Sequence, residues 1–119
     1  MALACDFRIA VEESEFWFPE VDLGVPLSPP STALLVANVG PNTAKDIILN
    51  CRHVRANEAL ELGLVNQVVK KSELMTAAYA LANKIADKNP KAVMVSKATV
   101  NALARGNTVL RPDLLLTRD

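Results

Sequence analysis

The residue whose type and setting best suit proton transfer is Glu20, in the run Phe16-Trp17-Phe18-Pro19-Glu20-Val21-Asp22-Leu23-Gly24-Val25. An apolar stretch and a proline come before the carboxylate. An apolar setting disfavours the charged form of a carboxylate, and a carboxylate so placed can take and return a proton near neutral pH. Read from the residues alone, the alternative is a surface glutamate in a strand-to-helix turn. Asp22 lies two residues on, and a carboxylate pair would suit acid–base work. We read Asp22 instead as solvent-facing or salt-bridged. Trp17 and Phe18 read as packing or pocket-lining aromatics. His53 is the sole histidine, and one imidazole without further ligands makes no zinc site. A Cys51–His53 nucleophile pair lacks any group to orient it. Lys70, Lys71, Lys84, Lys88, Lys91 and Lys97 are spread over helix faces and read as solvated surface.

The elements that must position Glu20 follow from periodicity and punctuation. Phe7, Ile9 and Val11 alternate with Arg8 and Ala10, which predicts a strand over 7–11. Glu12-Glu13-Ser14-Glu15 is a polar turn before a short strand over 16–18. A helix is expected over 27–39, with Ser28 as cap and Pro29 at its first position. Gly40-Pro41 ends it and opens another over 42–49. Residues 56–62 form a short helix closed by Gly63, which tolerates a left-handed cap. Arg55 stands in its cap place and is a poor cap. A strand over 64–69 follows. The next helix, over 72–88, carries Leu74, Ala78, Leu81 and Ile85 on one face. Asn89-Pro90 opens a further helix to about Arg105, and Arg111-Pro112 a last short one.

Composition narrows the field. The chain has 119 residues, half of them hydrophobic, enough for one core and too few for two. Thirteen basic and thirteen acidic residues balance, so neither nucleic acid nor a charged membrane surface is an expected partner. No apolar run reaches the length of a membrane span. Cys5 and Cys51 form no disulfide pattern and fit a reducing, cytoplasmic setting. Two or three short strands are marginal without further cover. The isolated chain is therefore expected to read as part of a larger fold and to self-associate.

Three separated signatures carry a resemblance. They are Ala2-Leu3-Ala4-Cys5-Asp6-Phe7-Arg8-Ile9-Ala10, then Phe18-Pro19-Glu20-Val21-Asp22-Leu23-Gly24, then Ala56-Asn57-Glu58-Ala59-Leu60-Glu61-Leu62-Gly63-Leu64-Val65-Asn66-Gln67-Val68-Val69. In order and spacing the chain resembles the crotonase superfamily, the enoyl-CoA hydratase/isomerase family. The likeness runs from Met1 to about Arg105 and covers the C-terminal half or so of a family member. It implies an α/β fold, a partial crotonase-type β-β-α spiral followed by C-terminal helices. Residues 1–119 would form a single incomplete domain, with 1–69 the end of the spiral core and 70–119 a helical assembly region.

The resemblance also implies chemistry. Glu20 matches the family's second catalytic glutamate. In hydratases two glutamates hold a water, whereas in enoyl-CoA isomerases this one moves a proton between C2 and C4. The thioester enolate needs an oxyanion hole of backbone N–H groups. The resemblance places both donors, and the hydratases' first glutamate, before Met1. Trp17, Pro19, Leu23, Val25, Leu27 and Ser28 would meet the substrate. Ser28-Pro29-Pro30-Ser31-Thr32 stands where hydratases have a glycine-rich turn, with Thr32 matching its threonine and Ser28 replacing its first glycine. Two prolines remove donors and stiffen that turn, which favours isomerisation; a rigid helix start is the plainer reading of the same residues. Cys51 falls where the family usually has glycine. The implied substrate is a coenzyme A thioester, with no separate cofactor and no metal. The implied partner is the chain itself, as a trimer or a dimer of trimers. Hydration of a 2-enoyl-CoA and a non-catalytic piece acting only in assembly stay open beside isomerisation.

Overall fold

The computed structural model describes residues 2–104. The strands are β1 (Ile9–Val11), β2 (Glu15–Phe16), β3 (Val54–Arg55) and β4 (Gln67–Val69). The helices are α1 (Pro29–Val39), α2 (Pro41–Leu49), α3 (Ala56–Leu62), α4 (Leu74–Ala86) and α5 (Pro90–Ala104), with 3-10 turns at Ala2–Ala4 and Lys71–Glu73. The short helix expected after Arg111 lies outside the described residues. The α/β class expected from the sequence is the one found.

β1 pairs with β4 in parallel, Ile9 opposite Gln67 and Val11 opposite Val69. β2 pairs with β3 antiparallel, Glu15 opposite Arg55 and Phe16 opposite Val54. The strands are shorter than alternation predicts, for a local reason. Leu64 N–H and Val65 N–H donate to Ala59 O at 2.8 and 3.3 Å, closing α3 rather than joining a ladder. Arg8 N–H donates to Asn66 Oδ1 at 3.0 Å. β4 therefore starts at Gln67 and β1 at Ile9. β3 was not expected, since two residues leave no periodic signal.

The helix ends follow the punctuation. Pro29 and Pro30 open α1, where missing N–H groups cost nothing. Ser28 receives the first turn through its carbonyl, not its side chain: Thr32 N–H donates to Ser28 O at 2.9 Å, while Ser28 Oγ donates to Ser31 Oγ at 3.0 Å. Asn89 caps α5 as expected, with Ala92 N–H donating to its Oδ1 at 3.1 Å. Gly63 closes α3 at φ 80°, ψ 13°. A Cβ there would also come 3.4 Å from Asn38 O. Gly63→Ala is expected to cost about 1–2 kcal/mol, the penalty for a side chain in the left-handed region. An unchanged urea midpoint would contradict this.

The chain divides into one compact unit ending at Ala77 and another beginning at Ala78. The first holds the buried core of Ala10, Leu35, Ala44, Ile47, Val54, Ala59, Leu64 and Val65. No residue of α4 or α5 is buried, although Leu74, Ala78, Leu81 and Ile85 are the half-covered positions their spacing predicts. Among the described residues no helix is long and apolar enough to cross a membrane.

Two polar networks brace the first unit. Arg8 Nε donates to Leu64 O at 2.6 Å, Nη1 to Cys5 O at 2.8 Å, and Nη2 to Asn38 Oδ1 at 2.6 Å. Arg52 joins α2 to α3 by pairing with Asp46 at 2.8 Å and Glu58 at 2.9 Å. The hydrogen bond from Asn50, then the Arg52 guanidinium, lower the Asp46 carboxyl below its ordinary 3.8. A folded-state value below the unfolded one gives stability that is present above about pH 4 and lost as pH falls through the folded value. The Asp46→Asn chain should thus lose less stability than the wild type between pH 5 and pH 3, by a small margin for so exposed a network. Parallel denaturation curves at the two pH values check this; an identical acid dependence would refute it.

Candidate active site

Glu20 begins a tight turn just after Pro19. Leu23 N–H donates to Pro19 O at 3.2 Å and Glu20 O at 3.0 Å, and Gly24 N–H to Val21 O at 3.0 Å. Val25 N–H donates to Glu20 O at 3.0 Å. Gly24 sits at φ 81°, a left-handed value that lets the chain reverse there. Asp22 is exposed on this turn, the solvent-facing position expected for it.

The side chain of Glu20 is half-buried. Its Oε2 is sealed from solvent with no hydrogen-bond partner. A buried polar atom without a partner costs free energy, so it calls for an explanation. A carboxylate that receives a proton or a donor from a bound molecule supplies one.

The other candidate residues lie along the same stretch. Pro19 is half-buried before Glu20, and Leu23 and Val25 are exposed at 73% and 51% on the turn. Leu27 and Ser28 follow at the start of α1, where Thr32 Oγ1 donates to Ser28 O at 2.9 Å. Trp17, three residues before Glu20, is half-exposed. Its indole Nε1 donates to Cys51 O at 3.0 Å, and its ring stacks on His53 with centroids 4.5 Å apart and planes at 21°. His53 Nδ1 lies 2.6 Å from Glu15 Oε1. Sequence reading missed this constellation because the β2–β3 pairing that assembles it is two residues long.

Cys51 adopts φ 48°. That is the left-handed region glycine favours, which accounts physically for the glycine expected at this position. Its thiol is buried and donates to Ile48 O at 3.6 Å. A separate open cleft of about 290 Å³, lined by Cys5, Phe7, Ile9, Phe16 and Val65 among others, does not include Glu20. Among the described residues no group of three or more His, Cys, Asp or Glu could hold a metal ion.

Comparison with known proteins bears on this site. The family model described as enoyl-CoA hydratase/isomerase matches residues 1–112. A short-chain-enoyl-CoA hydratase of Clostridium acetobutylicum is 44% identical over 101 residues, 85% of this chain and 39% of that protein. The chain thus spans about two fifths of the length of such curated relatives. A Bacillus anthracis enoyl-CoA hydratase superimposes with a TM-score of 0.83 at 34% identity, over 96% of this chain and 43% of the other. A Thermobifida fusca protein solved in complex with acetoacetyl-CoA does so with a TM-score of 0.85 at 30% identity, over 96% and 44%.

Proposed function

Because the chain belongs to the enoyl-CoA hydratase/isomerase family, we propose that Glu20 is the catalytic proton carrier for an enoyl-CoA thioester, in a protein completed by segments outside this chain. The observation that carries the reading is the sealed, unpartnered Oε2 of Glu20. A carboxylate oxygen that no group of the fold engages is left free to meet a substrate proton. Pro19, Leu23, Val25, Leu27, Ser28 and Trp17 contact the substrate around it. No cofactor beyond the thioester itself is required.

Isomerisation is the first reading. Glu20 removes a proton from one carbon of the enoyl chain, the double bond moves, and the same carboxyl returns the proton two carbons away. The start of α1 supports this. Pro29 and Pro30 have no N–H to offer, and the hydroxyl protons of Ser28 and Thr32 are engaged with Ser31 Oγ and Ser28 O, so these groups have no donor left for a water. Hydration of a 2-enoyl-CoA is the second reading, favoured by the hydratase names of the relatives. It needs a second carboxylate from outside this chain. Assembly into a homo-oligomer, a trimer or a dimer of trimers in the cytoplasm, goes with either; the exposed side chains Leu49 and Val100 are apolar surface for it.

The test supplies 3-enoyl-CoA and 2-enoyl-CoA in turn to the longest reading frame containing the chain. Isomerisation of the 3-enoyl substrate, abolished by Glu20→Gln, supports the first reading. A 3-hydroxyacyl product from the 2-enoyl substrate alone puts hydration first. Silence with both substrates leaves only the role in assembly.

A further inference from the structure

One side-chain cluster has no part in the proton transfer above. Trp17 and His53 are the chain's single tryptophan and single histidine, and they stack at 4.5 Å. The stack is tied at both ends: the indole Nε1 to Cys51 O at 3.0 Å, and His53 Nδ1 to Glu15 Oε1 at 2.6 Å. Beneath it, Glu15 and Phe16 pair with Arg55 and Val54.

Past this cluster the chain has only Phe18 and Pro19 before Glu20. Phe18 packs on the core, and proline fixes its own φ and restricts the residue before it. Beyond Glu20, residues 21–26 are exposed. The four backbone hydrogen bonds of the turn all close within residues 19–25, so they hold its shape without tying it to anything else. The turn is therefore held at its two ends, by Leu27 and Ser28 at the start of α1 and, nearer to Glu20, by what grips the chain on its amino-terminal side.

We infer that Glu15, His53 and Trp17 form a clamp that positions the turn carrying Glu20. The catalytic consequence rests on the reading of Glu20 as the proton carrier; the ordering of the turn does not. His53 is half-exposed, so its replacement leaves the core intact.

Two readouts decide the matter on the same reading frame. The first is amide hydrogen exchange at Leu23, Gly24 and Val25. His53→Gln should speed it about tenfold while leaving Gly63 and Leu64 unchanged, and His53→Phe, which keeps a ring on Trp17, should restore most of the protection. The second is the emission of Trp17. It should shift to longer wavelength in His53→Gln, as the indole loses the ring stacked on it, and return towards its wild-type position in His53→Phe. Exchange at Leu23–Val25 unaltered by His53→Gln would overturn the clamp, as would a Trp17 emission unchanged by that substitution. On an enoyl-CoA, His53→Gln should lower kcat about fivefold with KM within twofold; an unchanged kcat would overturn the catalytic part. Wild-type turnover by Glu20→Gln, with the exchange result as expected, would refute the reading of Glu20 and leave the clamp standing.

Discussion

Glu20→Gln is expected to lower enoyl-CoA turnover by about 10²–10⁴-fold, the usual share of a positioned acid–base group, without loss of stability. The two halves of this result come from one atom. Oε2 is sealed from solvent and unpartnered, so replacing it breaks no hydrogen bond of the fold. The amide of glutamine has nearly the same shape, and the variant should match the wild type in stability to within about 1 kcal/mol. Glu20→Asp keeps the acid but draws it back by one methylene. It should fall between wild type and Glu20→Gln, because proton transfer needs hydrogen-bond reach in the bound complex. Steady-state kinetics with thermal melts of the same samples measure both effects. Undiminished turnover would remove Glu20 from the mechanism. A large drop in melting temperature would show that the carboxylate is a structural partner.

How much of this was legible in the sequence depended on the range of the forces involved. Gly63 as a left-handed cap, Pro29 at the start of α1 and Asn89 before α5 could be read directly, because each acts on backbone groups within one turn of itself. The apolar face of α4 was legible for the same reason. Strand lengths were not. Leu64 and Val65 are apolar residues that suit the start of a strand, yet α3 captures their N–H groups, and residue type cannot report that competition. The motif around Glu20 gave its place, whereas its orphaned oxygen is a property of packing. The stack of Trp17 on His53 was invisible because it joins residues 36 positions apart through a two-residue ladder. Cys51 was an anomaly in the sequence, and its backbone angle alone explains it.

Arg8 illustrates the long-range case and carries the largest expected effect on stability. It looked like the polar member of an alternating strand, bound for solvent. Its guanidinium instead reaches Leu64 O, Cys5 O and Asn38 Oδ1 at 2.6, 2.8 and 2.6 Å. These partners lie 56, 3 and 30 positions away. The planar fork of arginine suits such divergent acceptors. Arg8→Ala leaves all three without a donor, and Leu64 is fully buried, so water cannot readily replace the lost N–H. Hydrogen bonds from a charged donor contribute about 1.5–3 kcal/mol each and are not additive within one side chain; the expected loss is therefore about 2–4 kcal/mol. Arg8→Lys should recover less than half of it, because an ammonium on a flexible stem cannot span three separated acceptors. The backbone pair with Asn66, in which Asn66 N–H donates to Arg8 O at 2.8 Å, survives either change. The damage should thus fall on the junction of α1 with the α3–β4 link rather than on the β1–β4 ladder. Denaturant titration of Arg8→Ala, Asn38→Ala and the double variant separates the contributions. A coupling near zero between the two sites, or a loss from Arg8→Ala below about 1 kcal/mol, would show that the guanidinium is solvated and braces nothing.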